Sequence, residues 1–205
     1  MQRAQKSELT RAKILVAAES EFSEKGIYGA RIDEIAAAAE VNKRMIYEHF
    51  ESKDGLYRAV LRGVYSKLAE YEKSYYIDGL SPEVAISNLV YGSFRFLEAN
   101  PSFVRILMWE NLNGGEHLGD EISEIKNPTI EYIKRQLKRG AELGIFRDGI
   151  DEEQMVISLM NFEFSYFSNI HTLSGILGKD LADSAQINKR AAFIADMIIG
   201  YLTKR

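Results

Sequence analysis

Apolar residues recur at helical spacing along almost the whole chain, and this periodicity is the strongest constraint on its fold. Near the N-terminus, Ile14, Ala18 and Phe22 lie four residues apart and form one apolar stripe. No segment shows the strict alternation of apolar and polar residues that is typical of a half-buried strand. Only 3 of the 205 residues are Pro, so few helices are interrupted. The pattern predicts an all-α protein of about nine helices.

Local start and stop signals divide this pattern into separate helices. The first helix is expected to run from about Thr10 to Gly26, because glycine is the preferred residue just past a helix end. A short second helix follows from Arg31, and a third is capped by Asn42 and ends at Phe50. Six further helices are predicted to begin at Ser52, Ser81, Pro101, Pro128, Asp151 and Asn188. The Asp151 helix is expected to continue to about residue 173.

Composition excludes several classes of protein. The chain has no Cys, so it has neither a disulfide framework nor a thiolate metal site. It shows no apolar signal region and no apolar run long enough for a membrane span, so we expect a cytoplasmic protein with no membrane segment. The formal net charge is −4, but Lys and Arg balance Asp and Glu within residues 1–60. This distribution weakly favours a polyanion site near the N-terminus.

The short third helix separates an inner side from an outer side. With a step of about 100° per residue, Ile46 and Phe50 face the core, while Lys43, Arg44 and Tyr47 share the outward side. The first three helices are predicted to form a helix-turn-helix unit, in which the third helix enters the major groove of DNA. Lys and Arg can pair with guanine or with phosphate, and the Tyr hydroxyl can donate to a phosphate. The sequence therefore predicts a DNA-binding surface on this helix.

The segment IDEIAAAAEVNKRMIYEHFESKDGLYRAVL resembles the DNA-binding segment of TetR/AcrR-type transcriptional regulators. The residues that carry the resemblance are Ile35, Ala36, Ala39, Val41, Ile46, Tyr47, His49, Phe50, Ser52, Lys53 and Leu56. The preceding ILVAAESEFSEKGIYGARI is similar to the family's first helix and glycine turn, so the match covers about residues 10–60. The remainder shows only the family's general helical layout.

The resemblance implies a function and an architecture. Members of this family are usually homodimers that bind palindromic operators as repressors and are released by a small-molecule effector. We therefore expect a helix-turn-helix DNA-binding domain at residues 1–52 and a helical effector-binding and dimerisation bundle at residues 53–205. A transcriptional activator, or a ligand-independent DNA-binding protein of the same fold, remains an alternative.

The resemblance also assigns roles to individual residues. It places Lys43, Arg44 and Met45 toward the bases. It places Tyr47, His49 and Lys53 toward phosphates, and Arg31 is a further candidate for contact with the DNA backbone. Met45 and His49 have a competing interpretation as packing residues. The predicted DNA-binding residues are Arg31, Asn42, Lys43, Arg44, Met45, Tyr47, His49 and Lys53.

Two positions depart from the family pattern. Arg44 stands where relatives often have Gly, which suggests that a long side chain reads a base. Glu40 replaces the usual Gly of the turn. If that position needs a positive φ, Glu costs on the order of 1 kcal/mol there.

Aromatic residues in the C-terminal part have three competing interpretations: core, dimer interface or effector pocket. We expect two helices of each subunit, at about residues 151–173 and 188–203, to form a four-helix interface. The candidate interface residues are Phe164, Phe167, Ile170, Phe193, Met197 and Ile198. The candidate effector-binding residues are Tyr91, Arg95, Arg105, Trp109, His117, Tyr132 and Phe162.

An enzyme is the main rival class, and the sequence argues against it. The three His residues are far apart and fit no metal-binding or nucleophile motif. The chain contains no P-loop, no GxSxG and no GxGxxG. A nonspecific DNA-coating protein is a second rival, but the broad basic surface that it needs is absent. We predict no catalytic residues, no metal and no cofactor.

Overall fold

The computed structural model describes residues 2–203, and within this range the chain forms ten α-helices and no β-strand. The helices are α1 (Gln2–Gly29), α2 (Ile32–Ala38), α3 (Lys43–Phe50), α4 (Lys53–Lys73), α5 (Pro82–Ala99), α6 (Pro101–Leu112), α7 (Asp120–Glu142), α8 (Glu152–Ser168), α9 (Ile170–Leu177) and α10 (Ser184–Thr203). The predicted all-α class is confirmed. The described part of the chain has one helix more than the predicted nine.

Helix α1 is interrupted at Gly26, where the sequence predicts its end. Gly26 has a φ of 65°, and one further helical turn follows it to Gly29. The ring of Trp109, from α6, lies so close that a Cβ at position 26 would come within 2.7 Å of it. Glycine is therefore needed both for the backbone conformation and for the close approach of the indole.

Side-chain caps open several helices where the sequence predicts them. The Ser52 hydroxyl accepts a hydrogen bond from the Gly55 N–H at 2.9 Å, just before α4. The Asp151 carboxylate accepts one from the Gln154 N–H at 3.0 Å, just before α8. These bonds satisfy amide groups that have no partner within the first turn of a helix.

The predicted start of α7 at Pro128 is wrong. The helix begins at Asp120, and Pro128 lies inside it. Proline removes one backbone donor from a helix interior. Here the turns before the proline are stabilised by burial of Ile122 and by two acidic residues in the first turn, Asp120 and Glu121.

The single helix predicted from Asp151 to about residue 173 is two helices. Helix α8 ends before Asn169, whose side-chain amide donates to the Ser165 carbonyl at 3.0 Å. Helix α9 then runs to Leu177 and is capped by Gly178, which has a left-handed backbone with φ 61°. Helix α10 starts at Ser184 rather than at Asn188, because Asp183 accepts hydrogen bonds from amides of its first turn.

The chain divides into two compact units, and neither is one continuous segment. The N-terminal unit consists of Met1–Ser66 and Pro101–Ser123, and the C-terminal unit consists of Lys67–Asn100 and Glu124–Arg205. Helix α6, which the sequence analysis places in the C-terminal domain, thus packs with the first helices. The division of DNA-binding and effector-binding roles at residue 52 stays a prediction.

Each unit has its own apolar core. In the N-terminal unit, Phe22 meets Tyr57 edge to face at 5.0 Å, and α6 packs against α1. In the C-terminal unit, α5 packs against both α8 and α10. Its fully buried residues include Ile86, Phe94 and Ile194. Burial of apolar surface in these cores supplies most of the stabilisation that holds the helices in place.

Candidate DNA-binding surface

Helix α3 is fixed at its start by a cap and on its inner side by buried residues. Asn42 has an extended backbone, and its Oδ1 accepts a hydrogen bond from the Arg44 N–H at 2.9 Å. Ile46 and Phe50 are buried, and the Arg11 guanidinium of α1 lies 5.2 Å from the centre of the Phe50 ring. The inner face is thereby anchored, and the opposite face is left to solvent.

The outer face of α3 carries the predicted base-reading and phosphate-binding side chains. Lys43, Arg44 and Tyr47 are exposed, as their helical positions predict. Met45 and His49 are half-buried at the margins of this face. The exposure is consistent with DNA contact by all five side chains, and the contacts themselves remain predictions.

The two remaining candidates lie at the ends of neighbouring helices. Arg31 is exposed at the cap position of α2, and its backbone N–H donates to the Glu21 carboxylate at 3.2 Å. Lys53 is half-buried in the first turn of α4. The predicted DNA-binding residues therefore all lie within one short stretch of the N-terminal unit, between residues 31 and 53.

Two cations of this surface are paired with carboxylates. The Lys43 ammonium lies 2.8 Å from the Asp33 carboxylate of α2, and the Arg44 Nε lies 2.7 Å from the Glu48 carboxylate of α3. The hydrogen bond to Asp33 raises the pKa of Lys43 above its ordinary value, and the same bond lowers the pKa of Asp33. All four side chains are exposed, so neither pair contributes much to the stability of the fold.

The turns on both sides of α3 contain residues with positive φ. Glu40 has a φ of 55° at the position where relatives often have Gly, so the condition under which Glu is strained there is met. Glu51 has a φ of 67° and a ψ of −47°, and the Ser52 N–H donates to the Phe50 carbonyl at 2.7 Å. This is the strained, positive-φ form of the γ-turn, which sequence reasoning missed. Each conformation costs on the order of 1 kcal/mol or more.

Gly55 allows α4 to follow α3 after this tight turn. A Cβ at position 55 would lie 2.2 Å from the Phe50 carbonyl oxygen, a backbone atom that cannot rotate away. The end of α3 and the start of α4 are therefore in direct backbone contact. A substitution at Gly55 would displace α3, and with it the exposed cations.

A helix-turn-helix whose second helix buries one face and exposes Lys, Arg and Tyr on the other defines a DNA-binding transcriptional regulator. The family profile described as "Bacterial regulatory proteins, tetR family" matches residues 14–60. The profile described as "Tetracyclin repressor-like, C-terminal domain" matches residues 82–198, more than half of the chain. The chain belongs to the TetR family of bacterial transcriptional regulators.

Two curated relatives are named as transcriptional repressors. The chain is 34% identical over 199 residues to "HTH-type transcriptional repressor NicS" of Pseudomonas putida, covering 96% of this chain and 94% of the relative. It is 31% identical over 159 residues to "HTH-type transcriptional repressor SCO4008" of Streptomyces coelicolor, covering 77% and 78%. Both alignments extend well beyond the DNA-binding segment.

Solved structures share the fold. A putative transcriptional regulator, SCO4942 of Streptomyces coelicolor, superimposes with a TM-score of 0.73 at 20% identity, covering 96% of this chain and 99% of the other. The ketosteroid transcriptional regulator KstR2 of Mycobacterium tuberculosis gives a TM-score of 0.71 at 20% identity, covering 95% of each chain. At these identities the comparison concerns the fold alone.

The candidate effector-binding residues fall into both compact units. Arg105, Trp109 and His117 belong to the N-terminal unit, and Tyr91, Arg95, Tyr132 and Phe162 belong to the C-terminal unit. Arg95 and Arg105 are exposed to solvent, whereas His117 and Tyr132 are buried.

His117 is already hydrogen-bonded within the N-terminal unit. Its Nδ1 lies 3.2 Å from one Glu110 carboxylate oxygen, and its backbone N–H donates to the other at 2.6 Å. The ring also meets Tyr57 edge to face at 5.0 Å. These contacts tie the turn after α6 to α4, which is a structural use of a residue that the sequence analysis proposes for effector binding.

A group of polar side chains lies in the interior of the C-terminal unit, and sequence reasoning missed it. We call it the interior polar cluster; its members are Glu72, Ser93, Lys126, Thr129 and Glu163. The Glu72 carboxylate accepts hydrogen bonds from the Lys126 ammonium and, at 2.6 Å, from the Thr129 hydroxyl. Burial raises the pKa of Glu163 well above its ordinary value, and a hydrogen bond with Ser93 opposes this effect. Carboxylates inside apolar helices are the sequence signal that could have revealed the cluster.

Tyr132 is the effector candidate that lies beside this cluster. Its ring stacks on Tyr76 at 4.4 Å, and the Tyr76 hydroxyl is 2.6 Å from that of Thr129. Burial raises the pKa of both tyrosines, so they remain neutral hydrogen-bonding groups. Charged, hydroxyl-bearing and aromatic side chains thus meet around the Glu72 carboxylate.

The candidate dimer-interface residues differ in exposure. Phe193 is 58% exposed and Met197 is 37% exposed. Ile170 and Ile198 belong to the core of the C-terminal unit, and Phe167 packs against Phe94 with ring centres 5.7 Å apart. Phe164 is half-buried. Of the six candidates, Phe193 and Met197 therefore offer the most apolar surface to a partner.

Further exposed apolar residues lie on α8 and α10. We call the set the α8/α10 stripe; its members are Ile157, Met160, Phe193, Met197 and Tyr201. The α10 members lie four residues apart and so share one side of that helix.

Phe162 lies beside the stripe. It lines a groove of about 480 Å³ together with Phe193, and a second groove of about 350 Å³ together with Met197 and Tyr201. The structure thus brings this effector candidate together with the dimer candidates.

The described residues contain neither a metal-binding cluster nor a membrane-spanning helix. Between residues 2 and 203, no group of three or more His, Cys, Asp or Glu side chains is arranged to hold a metal ion. Within the same range, none of the helices combines the length and the apolar character that crossing a membrane requires.

Proposed function

We propose that the protein is a homodimeric transcriptional repressor that binds a palindromic operator and leaves it when a small molecule binds the C-terminal unit. The observation that carries the proposal is the exposed row of Lys43, Arg44 and Tyr47 at the start of a capped helix. In a helix-turn-helix protein this half of the helix contacts base edges in the major groove. The positive end of the helix dipole also favours the phosphates.

The relatives support repression. Two proteins that align over most of this chain are named transcriptional repressors. A repressor needs only to occupy its operator, and the helix-turn-helix supplies the surface for that.

The α8/α10 stripe supports a homodimer. Five large apolar side chains that are at least a third exposed are unusual on one pair of helices unless a partner covers them. A two-fold dimer uses the same surface on both subunits, so two helices from each would form a four-helix interface. Two copies of α3 would then read half-sites about 34–36 Å apart, or a multiple of that distance.

The interior polar cluster supports a ligand site. Glu163 is half-buried, burial raises the pKa of its carboxyl, and Ser93 is the hydrogen-bond partner that opposes this shift, whereas Glu72 has both Lys126 and Thr129 as donors. A ligand that binds better to the conformation unable to hold DNA shifts the population toward it. The free energy of ligand binding would then be sufficient to release the protein from the operator.

Selection of bound DNA from a random pool, followed by footprinting, tests the proposal. We expect a palindromic sequence protected over two half-sites one or more helical turns apart. A reporter gene placed behind that sequence should be silenced when the protein is expressed. Activation of the reporter would instead identify the protein as a transcriptional activator. Recovery of no preferred DNA sequence would contradict the proposal as a whole.

Assembly is tested separately on the stripe. Phe193→Glu combined with Met197→Glu should convert the dimer into a folded monomer, as measured by light scattering after size-exclusion chromatography. Lys138→Glu, an exposed residue of α7, introduces the same type of charge elsewhere and should remain dimeric. Ile198 is unsuitable for this test, because it is only 3% exposed within its own subunit. A double variant that stays dimeric would place the interface elsewhere.

A further inference from the structure

We propose that Glu48 is a positioning residue for base recognition: it holds the Arg44 guanidinium so that both Nη groups point at one guanine. This inference rests on the proposed function, because it requires an operator that Arg44 reads. It adds a residue that the sequence analysis did not place among the DNA-binding positions. It also names the base that the pair selects.

The geometry supports this role through the atom that is bonded. Arg44 Nε donates to Glu48 Oε1 at 2.7 Å, one helical turn away on the same helix. In the described part of the chain no hydrogen bond occupies either Nη nitrogen of Arg44. The Arg44 side chain is 85% exposed and the Glu48 side chain 53%, so the guanidinium remains accessible from solvent.

Guanine recognition needs the part of the guanidinium that Glu48 leaves unbonded. Guanine presents two acceptors, O6 and N7, on its major-groove edge. The two Nη groups of an arginine form a planar fork that matches this pair. With Nε held by Glu48, the two Nη groups remain to donate to O6 and N7. The same bond restricts the orientation of the guanidinium plane before DNA binds. Ordering a long side chain in advance lowers the cost of binding.

The charge of Glu48 has the opposite effect on affinity. A carboxylate on the DNA-facing helix is repelled by phosphates, so it weakens binding to every sequence alike. A bond that restricts Arg44 strengthens only the complex with the correct base. The two effects separate in experiment, because affinity and base discrimination change in opposite directions when Glu48 is removed.

Asp33 provides a matched control. It pairs with Lys43 at 2.8 Å and carries the same charge on the same surface. Lysine has no planar fork and binds phosphate as a point charge. Asp33→Ala therefore removes one negative charge beside α3 without affecting the orientation of Arg44.

The experiment measures binding to the selected operator and to three variants with each other base at the guanine position, by fluorescence anisotropy. Glu48→Ala should lower the preference for guanine about 2- to 10-fold. Glu48→Gln retains an acceptor for Nε, so it should keep the preference of the unmodified protein. Asp33→Ala should also keep it. Full preference in Glu48→Ala, or an equal loss in Glu48→Gln, would overturn the proposal.

A double variant separates this inference from the proposed function. If the unmodified protein selects no DNA, the proposed function itself fails. If it selects DNA but Arg44→Ala leaves the base preferences unchanged, the role of Arg44 fails, and that of Glu48 with it. In an Arg44→Ala background, Glu48→Ala should cause no further loss of preference, because the pair acts as one unit.

Discussion

The candidate DNA-binding surface of the N-terminal unit and the interior of the C-terminal unit both pair lysine with a carboxylate. Lys43 and Asp33 are exposed, whereas Lys126 and Glu72 are at most 10% exposed in their side chains. In water such a pair contributes little and its partners exchange readily, whereas in a core each charge depends on the other. The exposed pair can give its lysine to a phosphate. The buried pair links α4 to α7 through its hydrogen bonds.

The largest expected effect comes from breaking the buried pair. Lys126→Met should lower the free energy of unfolding by about 3–5 kcal/mol, because it leaves the Glu72 carboxylate buried without its main partner. Chemical denaturation followed by circular dichroism measures this loss. The exposed pair of Lys73 with Glu70 in the same unit is the control, and Lys73→Met should cost less than about 1 kcal/mol. Equal losses in both variants would remove the distinction between the two regions.

The second effect concerns the DNA-facing surface and should leave folding unchanged. Arg44→Ala is expected to weaken operator binding by about 1–3 kcal/mol and to relax base preference at one position of each half-site. Its unfolding curve should match that of the unmodified protein, since Arg44 is exposed. A variant that bound every operator sequence like the unmodified protein would contradict base reading by this residue.

The third effect is a gain in stability from the interior polar cluster. Burial raises the pKa of Glu163, so the folded protein binds a proton more tightly than the unfolded chain. Its contribution to stability is therefore greatest at low pH and is lost as the pH rises above the ordinary glutamate value of 4.5. Glu163→Gln should remove this loss and stabilise the protein at neutral pH by about 1 kcal/mol, or roughly 2–4 °C in Tm.

Thermal unfolding of both proteins between pH 5 and pH 8 checks this sign. The difference in Tm between Glu163→Gln and the unmodified protein should grow as the pH rises. A difference that shrinks with rising pH would show that the ionised carboxylate is stabilised by its surroundings.

The smallest effect on folding is expected for the exposed pair itself. Lys43→Ala should leave the free energy of unfolding nearly unchanged, because the side chain is exposed and its ion pair is screened by water. It should nevertheless weaken DNA binding about equally for all sequences. The slope of the logarithm of the binding constant against the logarithm of the salt concentration should fall by about 1, the contribution of one phosphate contact. Titrations at several salt concentrations measure that slope. A loss of sequence preference would instead assign Lys43 to a base.

Short-range features of the fold were predictable from the sequence. Asn42 and Asp151 act as caps because a side-chain oxygen bonds an amide only two or three residues away. The inner and outer sides of α3 follow from the helical period alone. The positive φ of Glu40 agrees with the Gly that proteins of the TetR family often have at that position.

Other local predictions failed because packing outweighed propensity. Pro128 is a strong helix-start signal, yet burial of Ile122 extends α7 to the preceding residues. The break at Asn169 has a local cause instead: its side-chain amide donates to the Ser165 carbonyl where α8 ends. The extension of α7 cannot be read from a window of ten or so residues, since it depends on what the neighbouring helices cover.

The sequence by itself determined the helical class, the capped recognition helix and the residues on its outer face, because these depend on contacts within about one helical turn. Tertiary structure alone decided which charges are buried. Along the chain, Glu72 is 54 residues from Lys126 and 57 residues from Thr129. It also decided that α6 packs with the first helices and that Phe193 and Met197, rather than Ile198, remain exposed. Burial depends on the position of every helix in a unit, and no local pattern encodes it.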